Sequence, residues 1–132
     1  MLGAGHFNAF AQATGLSIAQ RAALGGIVSG TIAFDARVTL LIEPLAETGN
    51  AIPVRVSSQL DIARWLLVAE KNPRPIVFDA SVGALAARSP LSTRIRLAAT
   101  QNILALGQSR AGTWHAAQAN VALTASACYD GT

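Results

Sequence analysis

From Ala33 to Ala125 apolar residues recur at every second position in short runs, and that spacing limits what the chain can fold into more than any other feature. The stretch "IPVRVSS" at 52 to 58 sets Ile52, Val54 and Val56 against Pro53, Arg55 and Ser57, the alternation of a strand with one buried face. "VTLLI" at 38 to 42 is β-branched and aliphatic, and "AETGN" between the two supplies turn residues. The same reading continues through "RWLLVAE" at 64 to 70, "PIVFDA" at 75 to 80, "TRIRLA" at 93 to 98, "NILALG" at 102 to 107 and "TWHAAQANVALTA" at 113 to 125. "KNPRP" at 71 to 75 and "SRAG" at 109 to 112 place proline or glycine where a tight turn needs them, and "GALAARSPLS" at 83 to 92 is a longer connection. Seven short strands with no helical pattern between them predict an all-β, immunoglobulin-like antiparallel sandwich over residues 31 to 125. Pro53, on the polar face of its run, predicts an edge strand whose missing donor points outward.

Both ends depart from the period of two. Residues 1 to 30 read as a short helical lead-in: Phe7, Phe10, Leu16, Ala19, Ala23 and Leu24 fall at mixed three- and four-residue spacings, with breaks near Gly15 and Gly25-Gly26. The opening "MLGAGHFNAFAQA" holds an Ala-Gln-Ala like a signal cleavage site with no basic segment before it, the expected remnant of an export signal or start of a processed chain. At the other end, residues 126 to 132 have no large apolar side chain except Tyr129 and read as a mobile arm.

Composition excludes several classes. The chain has 132 residues, 52% of them hydrophobic and 13% charged, enough for one domain with a real core and unlike a disordered chain. The formal charge of +3 rests on single arginines scattered from Arg21 to Arg110 and on Lys71, not on the clustered cations of a nucleic-acid groove. No window reaches eighteen uninterrupted apolar residues, so no membrane-spanning helix is expected; the excess hydrophobicity fits alanine content and a protein–protein surface. His6 and His115 lie far apart with no acidic pattern beside either, so no metal site or cofactor is expected. Trp65 and Trp114 are expected in the core or at a partner contact, and Arg94 and Arg96, alternating with Ile95 and Leu97, on a solvated sheet face that is also able to meet acidic groups of a partner. No nucleophile motif or phosphate-binding loop appears, so the chain is not expected to be an enzyme.

That leaves Cys128, the one cysteine, in the tail "SACYDGT". A single thiol makes no internal disulfide, so the sandwich stands on packing alone. The phrases "PLAETGNAIPVRVSS", "VAEKNPRPIVFDAS" and "STRIRLAATQNILALGQSRAGTWHAAQANVALTA", followed in this order by a near-terminal cysteine, resemble the SoxY family, sulfur-carrier subunits of the periplasmic thiosulfate-oxidising Sox system. The resemblance runs from about Arg37 to the C-terminus. It implies an immunoglobulin-like sandwich, a heterodimer with a SoxZ-like subunit, periplasmic location, and a cysteine on a swinging arm that holds sulfur intermediates covalently. Cys128 is the position that takes that role. It also implies partner enzymes that supply the chemistry, a haem-containing enzyme for loading and a metal-dependent hydrolase for release.

The arm departs from the family's pattern, in which glycines stand on both sides of the cysteine. Here Ser126 and Ala127 precede it and Tyr129, Asp130, Gly131 and Thr132 follow. Ser126 and Ala127 are expected to keep the arm slim on one side, Tyr129 to add bulk beside the sulfur, and the carboxylate of Asp130 with that of the chain end to disfavour the thiolate, so Ala127, Tyr129, Asp130 and Gly131 are the arm residues expected to modulate it. Two alternatives stay open on the residues alone: an interaction module without carrier chemistry, and a homodimer linked by a Cys128–Cys128 disulfide.

Overall fold

A computed structural model describes residues 15–125. Helix α1 (Ile18–Leu24) opens it, and its start is written in the sequence: Ser17 Oγ accepts from the Gln20 N–H at 2.9 Å while Gln20 Oε1 accepts from the Ser17 N–H at 2.9 Å. Its end is written too, because Gly25 takes a φ of 52°, a conformation that costs a glycine little. Nine strands follow: β1 (Ile32–Phe34), β2 (Val38–Ile42), β3 (Leu45–Ala46), β4 (Ile52–Ser58), β5 (Ile62–Ala69), β6 (Ile76–Ser81), β7 (Leu91–Ile95), β8 (Gln101–Ser109) and β9 (Trp114–Leu123). A 3₁₀ turn, Ala84–Ala86, lies in the long β6–β7 connection.

The strands form two sheets. The larger runs β1-β9-β8-β5-β6, with β3 joined to the far end of β9, and the smaller runs β2-β4-β7. This is the immunoglobulin-like sandwich expected, with two additions. β1 and β3, three and two residues long, pair parallel to β9, Ile32 opposite Trp114 and Leu45 opposite Ala122. Runs that short carry no readable alternation; the finished edge of β9 fixes them, not their own sequence.

The two sheets bury their residues differently. In β4 burial alternates, Ile52, Val54 and Val56 inward and Pro53 and Arg55 to solvent, because this sheet has one wet face. In β5 every residue from Trp65 to Ala69 is buried, because the larger sheet is covered on both sides. Trp65, Leu67, Ile103, Ala105 and Val121 face the smaller sheet. Leu66, Val68, Leu104, Leu106 and Trp114 face the other way and meet Leu24 of α1. Full burial of a leucine side chain is worth about 1.5–3 kcal/mol, so Leu24 anchors the helix; Ser17 Oγ, donating to Glu70 at 2.6 Å, and Gln20 Nε2, donating to Gln118 at 3.1 Å, fix its position. Both tryptophans are core residues, Trp65 1% and Trp114 3% exposed.

Pro53 corrects one expectation. β4 is the central strand of its sheet, with β7 on one side and β2 on the other. The proline is tolerated because the β2 ladder ends at the Ile42–Val54 pair, so at Pro53 the strand is an edge only locally. Among the described residues no helix is long and apolar enough to cross a membrane.

Candidate functional site

The end of the sandwich where β9 finishes gathers the three phrases that the sequence singles out. The last described residues are held down to Ala125: the Ala122 N–H donates to Pro44 O at 2.9 Å, Thr124 N–H to Ala46 O at 3.0 Å and Ala125 N–H to Glu47 O at 2.9 Å. The Leu123 N–H donates to Thr100 Oγ1 at 2.9 Å, tying the same segment to the β7–β8 connection. The described chain is therefore held to the sandwich up to Ala125, which in sequence stands three residues before Cys128.

"AETGN" and "TRIRLAATQN" meet at Gly49 and Leu97. The Leu97 N–H donates to Gly49 O at 2.9 Å, and a Cβ on Gly49 would overlap the Leu97 carbonyl oxygen, so only glycine fits this close approach. "NPRP" meets "TRIRLAATQN" through Asn72. Its Nδ2 donates to Arg96 O at 2.6 Å, and its Oδ1 accepts from the Ala98 N–H at 2.8 Å and from Gln101 Nε2 at 3.1 Å. Gln101, 2% exposed, also accepts from the Lys71 N–H at 2.9 Å and donates to Ala99 O at 3.0 Å. These two amides satisfy main-chain groups that have no ladder partner, as buried polar groups require. The phrases were legible only as turns and a strand; their mutual contact depends on residues 24 to 48 positions apart.

Charges are sorted in a definite way. Arg37 and Arg64 grip Asp35 and Asp79 with two hydrogen bonds each, at 3.0 and 2.8 Å in both pairs, and Arg110 lies 3.3 Å from Asp61. The Arg37 guanidinium and main-chain N–H hold the Asp35 carboxyl far below the usual carboxylate range, against the opposing effect of its burial, and the Arg64 guanidinium lowers Asp79. Asp35 also takes His115 Nδ1 at 3.1 Å, while His115 Nε2 lies 2.9 Å from Thr113 Oγ1. An acid does therefore accompany His115, contrary to the sequence reading; it is 80 positions away and reaches the imidazole because β1 runs beside β9. Among the described residues no three metal-ligating side chains come together.

Arg74, Arg94 and Arg96 are exposed, and among the described residues no ion pair engages them. The arm residues Ala127, Cys128, Tyr129, Asp130 and Gly131, and the whole arm over 126 to 132, lie outside the described residues, as do residues 1–14 of the helical lead-in.

The fold defines an immunoglobulin-like sandwich protein with a helix docked on its larger sheet. The chain belongs to the SoxY family: the family model "Sulfur oxidation protein SoxY" matches residues 20–128, and its last matched position is Cys128. That membership gives it a role in sulfur oxidation. Among solved structures it is similar to the sulfur carrier protein SoxY from Chlorobium limicola f thiosulfatophilum, with a TM-score of 0.70 and 22% identity over 83% of this chain and 100% of that one. A superoxide reductase (neelaredoxin) from Ignicoccus hospitalis matches with a TM-score of 0.56 at 12% identity, over 65% of this chain and 79% of that one. At these identities the likeness is one of fold. No curated protein matches this chain in sequence.

Proposed function

We propose that the protein is a sulfur carrier that holds sulfur intermediates covalently on Cys128 and presents them to partner enzymes as a heterodimer with a SoxZ-like subunit in the periplasm. The observation that carries this reading is the anchoring of β9 up to Ala125, three residues before the one thiol of the chain. Three residues reach at most about 10 Å, so in this reading a carrier thiol at position 128 works within that reach of a fixed base. A carrier needs that arrangement, because its sulfur must enter several active sites while its own domain stays outside them. The thiolate is the reactive form. Joining it to a sulfur anion through an S–S bond removes two electrons, which the haem-containing loading enzyme takes up; a metal-dependent hydrolase then releases the oxidised end. The protein is in this account a recycled substrate rather than an enzyme.

Partnering is supported by the outer face of the smaller sheet, where Leu41 is 56% exposed beside Pro53, and by Leu45, 61% exposed at the β9 end. Exposed leucines beside an apolar groove are what a partner subunit covers. The test is loading in the presence of the SoxZ-like subunit and the Sox enzymes. Wild-type protein takes up sulfur, and Cys128→Ser takes up none while still binding the subunit. Sulfur uptake by the serine variant contradicts the reading.

A further inference from the structure

Three of the arginines that have no ion pair among the described residues share one place. β6 closes one side of the larger sheet and β7 one side of the smaller, and the open seam between these two edge strands forms a groove of about 420 Å³. Arg74 enters it from the β5–β6 turn, Arg94 from β7 and Arg96 from just beyond β7, with Ile76, Val77 and Ile95 as apolar lining. No acidic side chain lines it. Arg37, Arg64 and Arg110 each have an aspartate within 3.3 Å, whereas Arg21, Arg55 and Arg88, like these three, have no ion pair among the described residues; what sets Arg74, Arg94 and Arg96 apart is that they line one groove together. Their positions are also built: Asn72, bonded to Arg96 O and to the Ala98 N–H, clamps the turn that carries Arg74 against the segment that carries Arg96. Three like charges held along one groove repel one another until an anion joins them. Guanidinium groups, planar and rich in donors, match the oxygens of a tetrahedral oxyanion.

We infer that the seam between β6 and β7 is an oxyanion site in which Arg74, Arg94 and Arg96 bind a sulfate-type group, either free in solution or as the anionic end of a cargo held on Cys128. The choice of a sulfur oxyanion rests on the proposed carrier function; the site itself rests on the groove.

The test follows the arginine Nε–H signals by NMR in the full chain carrying Cys128→Ser, titrated with sodium sulfate against sodium chloride of equal ionic strength. Sulfate is expected to shift Arg74, Arg94 and Arg96 in a saturable way, to leave Arg37, Arg64 and Arg110 unmoved, and to bind about tenfold or more weakly after Arg94→Gln or Arg96→Gln, the loss expected for a charge-assisted hydrogen bond. Equal shifts of all arginines, a response equalled by chloride, or a response only to an acidic peptide overturns the site. Treating wild-type protein with tetrathionate separates the two sources: the Cys128 thiolate attacks a central sulfur, one S–S bond forms, another breaks, and thiosulfate leaves. If that adduct shifts the same three signals and blocks sulfate, the groove takes the cargo's anionic end; if sulfate still titrates, the ligand is the free anion. Failure of Cys128 to be loaded by the Sox enzymes alongside normal sulfate binding removes the carrier reading and leaves the groove, and loading without sulfate binding does the reverse.

Discussion

The side-chain amide of Asn72 donates to the main-chain carbonyl of Arg96 at 2.6 Å, and this bond joins the β5–β6 turn to the segment that follows β7. The same amide's oxygen serves Ala98 and Gln101, so one residue organises the loops beside the exit of β9. Asn72→Ala leaves these groups without partners and is expected to cost about 1–3 kcal/mol in denaturant unfolding. Asn72→Asp keeps the acceptor, but sets a carboxylate against the Arg96 carbonyl and is expected to destabilise as well. A loss below about 0.5 kcal/mol in both variants shows that the loops hold each other without it.

Asp35 makes stability depend on pH with a definite sign. Its carboxyl is held far below the ordinary value by Arg37 and then by His115, so its contribution is full above about pH 4, the unfolded value, and is lost as the pH falls from there through the folded value. Asp35→Asn is therefore expected to unfold more easily than wild type at neutral pH, and the gap is expected to narrow as the solution is acidified below pH 4. A gap that stays constant or widens down to about pH 2 contradicts this assignment.

How far the fold was legible follows from how local each signal is. The alternation of Ile52, Val54 and Val56 is set by one wet face and survives intact in β4. The apolar runs at Leu66–Val68 and Ile103–Leu106 were read as strands, yet their double-sided burial under α1 is a property of the assembled sheet. β1 and β3 borrow their structure from β9, and the Asp35–His115 pair spans most of the chain, so neither is written in any short stretch. Of the site, Cys128 was conspicuous as the one thiol, whereas the grouping of Arg74 with Arg94 and Arg96 needed the meeting of two sheet edges.

In the proposed carrier role, the residues flanking the thiol are expected to act on rate. In sequence Tyr129 is next to the thiol and the acidic Asp130 two positions from it, so replacing both with glycine is expected to speed loading by Sox enzymes. Loading followed over time checks it. A glycine variant that loads no faster, or more slowly, shows that Tyr129 and Asp130 are recognised by the partner enzymes.

The central claim is that sulfur is bound to Cys128, and the intact mass of the protein isolated from cells oxidising thiosulfate tests it most directly. The account predicts added mass in steps of sulfur or of thiosulfate-like groups, confined to the peptide containing Cys128, removed by reduction and absent from Cys128→Ser. A thiol that is always free, or a doubled mass that collapses to the bare chain on reduction, contradicts it, the first in favour of an interaction module and the second in favour of a disulfide-linked homodimer.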